Sequence, residues 1–168
     1  MATLEAGSRY DNQVKSINTY IDAQLRTGLG LSVYYEDQDR VGALPADWVE
    51  IDLTFGGQRR PVNTAPGEKL EVYTEFVVNI NCFREQAQYA ASDTVYTLYT
   101  MVTNIKQLFE IGTVIPVYDY GTVGNPWAGR MTVEESPRVQ ELSNEDDEAL
   151  KQVNISVTLM HHSVFSKE

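Results

Sequence analysis

The chain has 168 residues, a formal net charge of -11, a single cysteine and 42% hydrophobic residues. That length fits one domain over residues 1–168 that buries a core without covalent staples, while the acidity argues against a phosphate-gripping surface, which needs clustered Lys and Arg. One cysteine supports neither a disulfide framework nor a zinc constellation. The first residues carry no basic and apolar leader pattern, and no window reaches the ~18 apolar residues of a membrane span. The expected setting is a reducing cytoplasm, where the Asn154-Ile155-Ser156 sequon is idle.

Over residues 8–27, Tyr10, Val14, Ile17, Ile21 and Leu25 recur at three- and four-residue spacing. This predicts an amphipathic helix with Asp11, Lys15, Asn18, Asp22 and Arg26 on its polar side, stopped by Gly28 and Gly30. A short extended piece follows over 31–35. Over 47–55, Val49, Ile51, Leu53 and Phe55 alternate with Trp48, Glu50, Asp52 and Thr54, so the first set is expected on the inner face of a strand and the second outside. Residues 56–69, GGQRRPVNTAPGEK, lack apolar periodicity and read as a long hairpin loop with Arg59 and Arg60 at its tip.

The stretch 70–83 is the organising element. Leu70, Val72, Phe76, Val78, Ile80 and Cys82 share one face, and Glu71, Tyr73, Glu75, Asn79 and Asn81 share the other. At about 3.3 Å per residue it extends on the order of 45 Å, roughly twice the usual strand. Cys82, on the apolar face, is expected to be a packed thiol. Ala91, Val95, Leu98, Val102, Ile105 and Phe109 then predict a second helix ending near Gly112, with Ser92 and Asp93 as candidate caps. Two strands, over 114–120 and 131–142, flank a loop over 121–130 that contains Asn125-Pro126-Trp127. An acidic turn over 143–149 leads to a last strand carrying Val153, Ile155, Val157 and Leu159. The fold expected is α+β, a mainly antiparallel sheet with two helices packed on one face and a long β-hairpin.

No catalytic, cofactor-binding or metal-binding residue emerges from this pattern, and the expectation is that the chain is not an enzyme. His161 and His162 are neighbours on a strand and point to opposite faces, so they do not chelate one metal. Glu145, Asp146, Asp147 and Glu148 lack the spacing and central glycine of an EF-hand loop. Gly28-Leu29-Gly30 and Gly56-Gly57 have no strand and helix around them to aim N–H groups at a phosphate. No G-x-S-x-G elbow is present. The unusual feature is the amount of half-polar strand surface, such as Tyr73 and Val77 on the outer face of the central strand, which suits assembly.

The layout resembles the tail terminator and tail-completion proteins of long-tailed bacteriophages. The resemblance is carried by the opening helix ending LRTGLGLSVYYED, by LPADWVEIDLTFGG, by the Gly/Pro-rich hairpin loop, by KLEVYTEFVVNINCF, by the helix ending IKQLFEIG and by the closing MTVEESPRVQEL and VNISVTLMHH. It covers nearly the whole chain, and the 121–130 loop has no counterpart in it. The resemblance implies a structural virion subunit, made in the host cytoplasm, that forms a ring of identical copies, commonly a hexamer. Such a ring caps the head-proximal end of the tail tube and offers a surface to the head connector, while DNA passes through without specific binding. On this reading Gln58, Arg59, Arg60, Tyr73, Glu75, Val77 and Asn79 form the interface with a neighbouring subunit or the tail tube protein, and Asn125, Pro126 and Trp127 face the head-tail connector protein. The alternatives are another tail-tube or neck component, or a small cytoplasmic ligand-binding module, which would need a concave pocket with converging polar groups.

Overall fold

The structure is a computed structural model that describes residues 5–36, 38, 43, 45–59, 69–85, 91–142 and 150–166. Its framework is a seven-stranded sheet made of β1 (Val33–Tyr35), β2 (Asp47–Arg59), β3 (Lys69–Glu85), β4 (Val114–Tyr118), β5 (Trp127–Val133), β6 (Arg138–Leu142) and β7 (Leu150–Ser166), with α1 (Tyr10–Ile21) and α2 (Ala91–Leu108). The strand order is β1-β2-β3-β7-β5-β4, with β6 also paired to β7. Only the short β1 runs parallel to its neighbour, β2, and the remaining pairs are antiparallel. This is the expected α+β fold.

β3 lies at the centre because its alternation is clean over the described side chains. Val72, Phe76, Val78, Ile80 and Cys82 are buried, and together with Val49, Ile51, Val153, Ile155, Val157 and Leu159 they form the floor on which Ile17, Ile21 and Leu25 from the first helical segment and Leu98, Val102, Ile105 and Phe109 from the second are packed. Both helices therefore cover one face, and the hydrophobic burial that stabilises the domain is concentrated there. Cys82 is a free, fully buried thiol, and burial pushes its pKa up to about 12.

Four expectations are corrected. The helix over 8–27 is three pieces, a 3-10 turn (Ala6–Ser8), α1, and a π segment (Asp22–Gly28) that still delivers Leu25 to the core. Its buried side includes Asn12, Gln13 and Ser16, while Tyr10 is half exposed. These polar residues go inward because main-chain groups there need partners. Ser16 Oγ accepts from Tyr118 N–H at 3.1 Å, Asn12 Oδ1 accepts from Tyr120 N–H at 3.1 Å, and Gln13 Nε2 donates to the Gly7 carbonyl at 3.0 Å. Second, Gln58 and Arg59 belong to β2 and not to a loop, since pairing with β3 resumes after a bulge between Phe55 and Gly57, where Gly57 takes a positive φ of 110°. Third, Trp127 opens β5 and is not in a loop, pairing with Tyr118.

Fourth, the single strand expected over 131–142 is divided. β5 and β6 follow the same edge of β7, but the five steps from Val133 to Arg138 face only three from Leu159 to Ser156, so two extra residues bulge out around the buried Pro137. Proline cannot donate to the ladder, which accounts for the break. The segments 60–68, 86–90 and 143–149, and with them the hairpin tip, Arg60, the residues just before α2 and the acidic turn, lie outside the described residues.

Candidate assembly surface

The outer face of the sheet is built by the odd-numbered residues of β3 and their cross-strand partners. Tyr73, Glu75, Val77 and Asn79 all fall on it, and each is half-buried with no described helix above it. The register carries the surface sideways in rows. Asp52, Asn79 and Ser156 lie abreast, as do Glu50, Asn81 and Asn154. Asn154 Nδ2 donates to Asn81 Oδ1 at 2.9 Å, and Gln152 Nε2 reaches the same oxygen at 3.4 Å. Cross-strand amides that satisfy one another let a polar face stay flat and ordered without a covering layer.

One row departs from this pattern. Trp48, expected outside among polar residues, is 4% exposed, because its ring stacks on Phe83 with centroids 5.0 Å apart while its indole N–H donates to Glu50 Oε1 at 2.9 Å. The stack supplies the burial that alternation alone did not foretell. Near it Arg84, on the core side, is buried and paired with Asp47 at 2.9 Å.

Toward the other end of β3, the backbone register sets Arg59 opposite Tyr73 and Gln58 opposite Thr74, and Tyr73 in turn faces His162 across to β7. The Tyr73 and His162 rings stack at 4.7 Å. The bulge between β5 and β6 leaves a shallow open depression of about 320 Å³ on the same face, lined by Glu75, Val77, Glu135, Arg138, Ser156 and Thr158. Arg138 is paired with Glu135 at 3.3 Å, and both are well exposed. Among the described residues no group of three His, Cys, Asp or Glu is placed to hold a metal ion, and no helix is long and apolar enough to cross a membrane.

Asn125 and Pro126 close a tight loop between β4 and β5, and Trp127 follows as the first residue of β5. Asp119 organises the loop, accepting from Thr122 Oγ1 at 2.7 Å and Gly121 N–H at 3.0 Å, with its own N–H donated to the Pro126 carbonyl at 2.9 Å. These donors, the Thr122 hydroxyl first, lower the pKa of the Asp119 carboxyl. Asn125 sits at φ 45°, and the side chains of Val123 in this turn and of Trp127 at the start of β5 are exposed. Strand directions place this loop toward the same end of the sheet as the β2–β3 hairpin, since β5 starts where the antiparallel β7 finishes. The two groups of sequence-predicted residues thus lie toward one end, on strands separated across the sheet. Sequence reasoning missed the Asn154, Gln152 and Ser156 side of the surface. Their alternation with Val153, Ile155 and Val157 was the signal available.

A scan of known protein families finds none that matches the chain, and no curated protein matches it. Among solved structures the chain is similar to one with 13% sequence identity and a TM-score of 0.60, over 95% of this chain and 99% of that one. At that identity the likeness establishes the fold and nothing further.

Proposed function

We propose that this chain is a structural subunit of a long-tailed phage particle, forming a closed homo-oligomeric ring, a homohexamer on the family resemblance, that caps the head-proximal end of the tail tube and presents a joining surface to the head connector. The observation that carries the reading is the outer sheet face. A sheet commonly buries one face and leaves the other solvated, and here the second face interleaves the carboxylates Glu50, Asp52 and Glu75 with half-buried Asn, Ser, Val and Tyr. That texture matches the rim of a protein interface, polar enough to be soluble alone and flat enough to be covered.

The net charge of -11 fits a conduit wall that DNA crosses without adhering, because like charges repel and no counterions are released. Purified protein, alone or mixed with tail tubes, is expected to give closed rings by negative-stain imaging and a matching native mass. A protein that stays monomeric at every concentration and never caps a tube overturns the proposal.

A further inference from the structure

A sheet of this kind has edges, and this molecule treats them unequally. At one outer edge β4 is blunted twice, by Pro116, which has no N–H, and by Ser16, whose hydroxyl takes the Tyr118 N–H. At the other outer edge β1 is three residues long and stops opposite Ile51. Beyond Ile51, β2 continues to Arg59 as the flank of an arm formed with β3 and the end of β7.

The direction of the main-chain groups on that flank is fixed by geometry. Val49 N–H donates to the Ser32 carbonyl at 2.9 Å and the Ile51 carbonyl accepts from Glu36 N–H at 3.2 Å, so both residues turn their N–H and C=O away from β3. The alternation of an antiparallel ladder makes Leu53 and Phe55 do the same. Among the described residues nothing meets those groups. On the opposite flank of the arm, β7 pairs with β6 over 152–156 and with β5 over 159–161, and from there to Ser166 it has no described ladder partner on that side, although the first residues of β5 and the Ala6–Ser8 turn lie near the point where pairing stops.

Apart from the bulge between Phe55 and Gly57, neither flank carries the usual guards over these residues. Residues 53–58 read LTFGGQ and residues 162–166 read HSVFS, without a Lys, Asp, Glu or Pro in either. A long edge with no charge and no proline is a template for another strand.

We propose that the arm edges are strand-joining surfaces, the β2 edge at Leu53 and Phe55 of one copy taking residues 163–166 of β7 from the next copy as an added strand. The occupant is a second copy because every copy carries one edge of each kind. β2 and β7 are both antiparallel to β3, so they run parallel to each other on opposite flanks. A rotation that places the β7 flank of one copy beside the β2 flank of the next makes a parallel, heterologous pairing, and repetition of that rotation closes a ring with no arm edge left over. Main-chain hydrogen bonds also suit a contact between subunits that each carry -11, since they bring no further like charge into the joint. The inference rests on the ring reading for its partner and supplies the contact that reading lacks.

Hydrogen exchange on the monomer and on the assembled protein tests it. The amides of Leu53 and Phe55 are expected to exchange about tenfold or more slowly once assembled. Leu53→Pro, which deletes an edge donor, is expected to weaken assembly by about tenfold or more, and, because the Leu53 side chain also packs against the core, to lower the monomer's thermal midpoint as well. Thr54→Lys, which adds a charge on the exposed side of the same edge, serves as the second variant if the proline variant does not fold, and is expected to weaken assembly as well. Rings that form with unprotected Leu53 and Phe55 amides, and that tolerate both substitutions, overturn the edge pairing and leave the ring standing. Protein that never assembles overturns both.

Discussion

Ile80 and Asn79 are consecutive on β3, yet one is fully buried in the core and the other lies on a face that no described element covers. The core side of this strand is closed by two helices and the opposite β7 residues Ile155 and Val157, so it carries the fold. The outer side is satisfied laterally, by amide pairs such as Asn154 with Asn81 and by the weaker approach of Asn79 to Asp52 at 3.5 Å. A polar strand face can thus be ordered without being covered. Its order comes from within the sheet, which leaves its surface open to a partner.

The largest effect that separates the two faces is kinetic. Cys82 is buried with a raised pKa, so a thiol reagent is expected to label it on the order of a thousandfold more slowly in the native protein than in denaturant. Rapid native labelling would mean a strand slipped by one residue, with the faces exchanged. Next come neighbouring substitutions read by urea unfolding. Ile80→Ala is expected to cost about 2–5 kcal/mol through lost burial and a residual cavity, and Asn79→Ala about 1 kcal/mol or less. Equal losses would erase the distinction between the faces.

The smallest effect sharpens the comparison at the far end of β7, where His161 and His162 part to opposite faces. His161 is 3% exposed, and because the Arg130 carbonyl 2.8 Å away can only accept, the proton sits on Nδ1. Burial lowers its pKa below the ordinary 6.5, partly opposed by that hydrogen bond, with His162 adding a further lowering. The unfolded chain therefore binds this proton more readily than the native one, and stability is expected to fall as pH drops through about 6.5 toward the native value, then level off. His161→Gln is expected to flatten that slope in thermal melts taken between pH 7 and 5.

Much of the framework was legible because long periodic segments leave little ambiguity. Six strand locations, two helices and the apolar face of β3 follow from alternation and helical spacing alone, and the two helices do share one face. What escaped depended on contacts distant in sequence. Nothing local to Asn12 or Ser16 announces that each binds a main-chain N–H about a hundred residues away, at Tyr120 and Tyr118. Trp48 looked like a member of a polar set until Phe83 was beside it. Of the proposed surface, Tyr73, Glu75, Val77 and Asn79 are together on one face as expected, while Gln58 and Arg59 proved to be strand residues because the glycines at 56 and 57 make a bulge where a turn was read.

The position of β7 in the sheet also bears on how the molecule is made. It is the last of the seven strands in chain order, yet it lies between β3 and the β5–β6 edge and holds partners on both sides. On the ribosome, β3 has β2 and β5 has β4 as partners, but the edges that face β7 stay unpaired until residues 150–166 have emerged. Contacts of such sequence separation form slowly, and an exposed strand edge is the form in which nascent chains stick to one another. Completion of the sheet is accordingly a late event, after residues 150–166 are made, and the interval before it is when a chaperone would have something to hold.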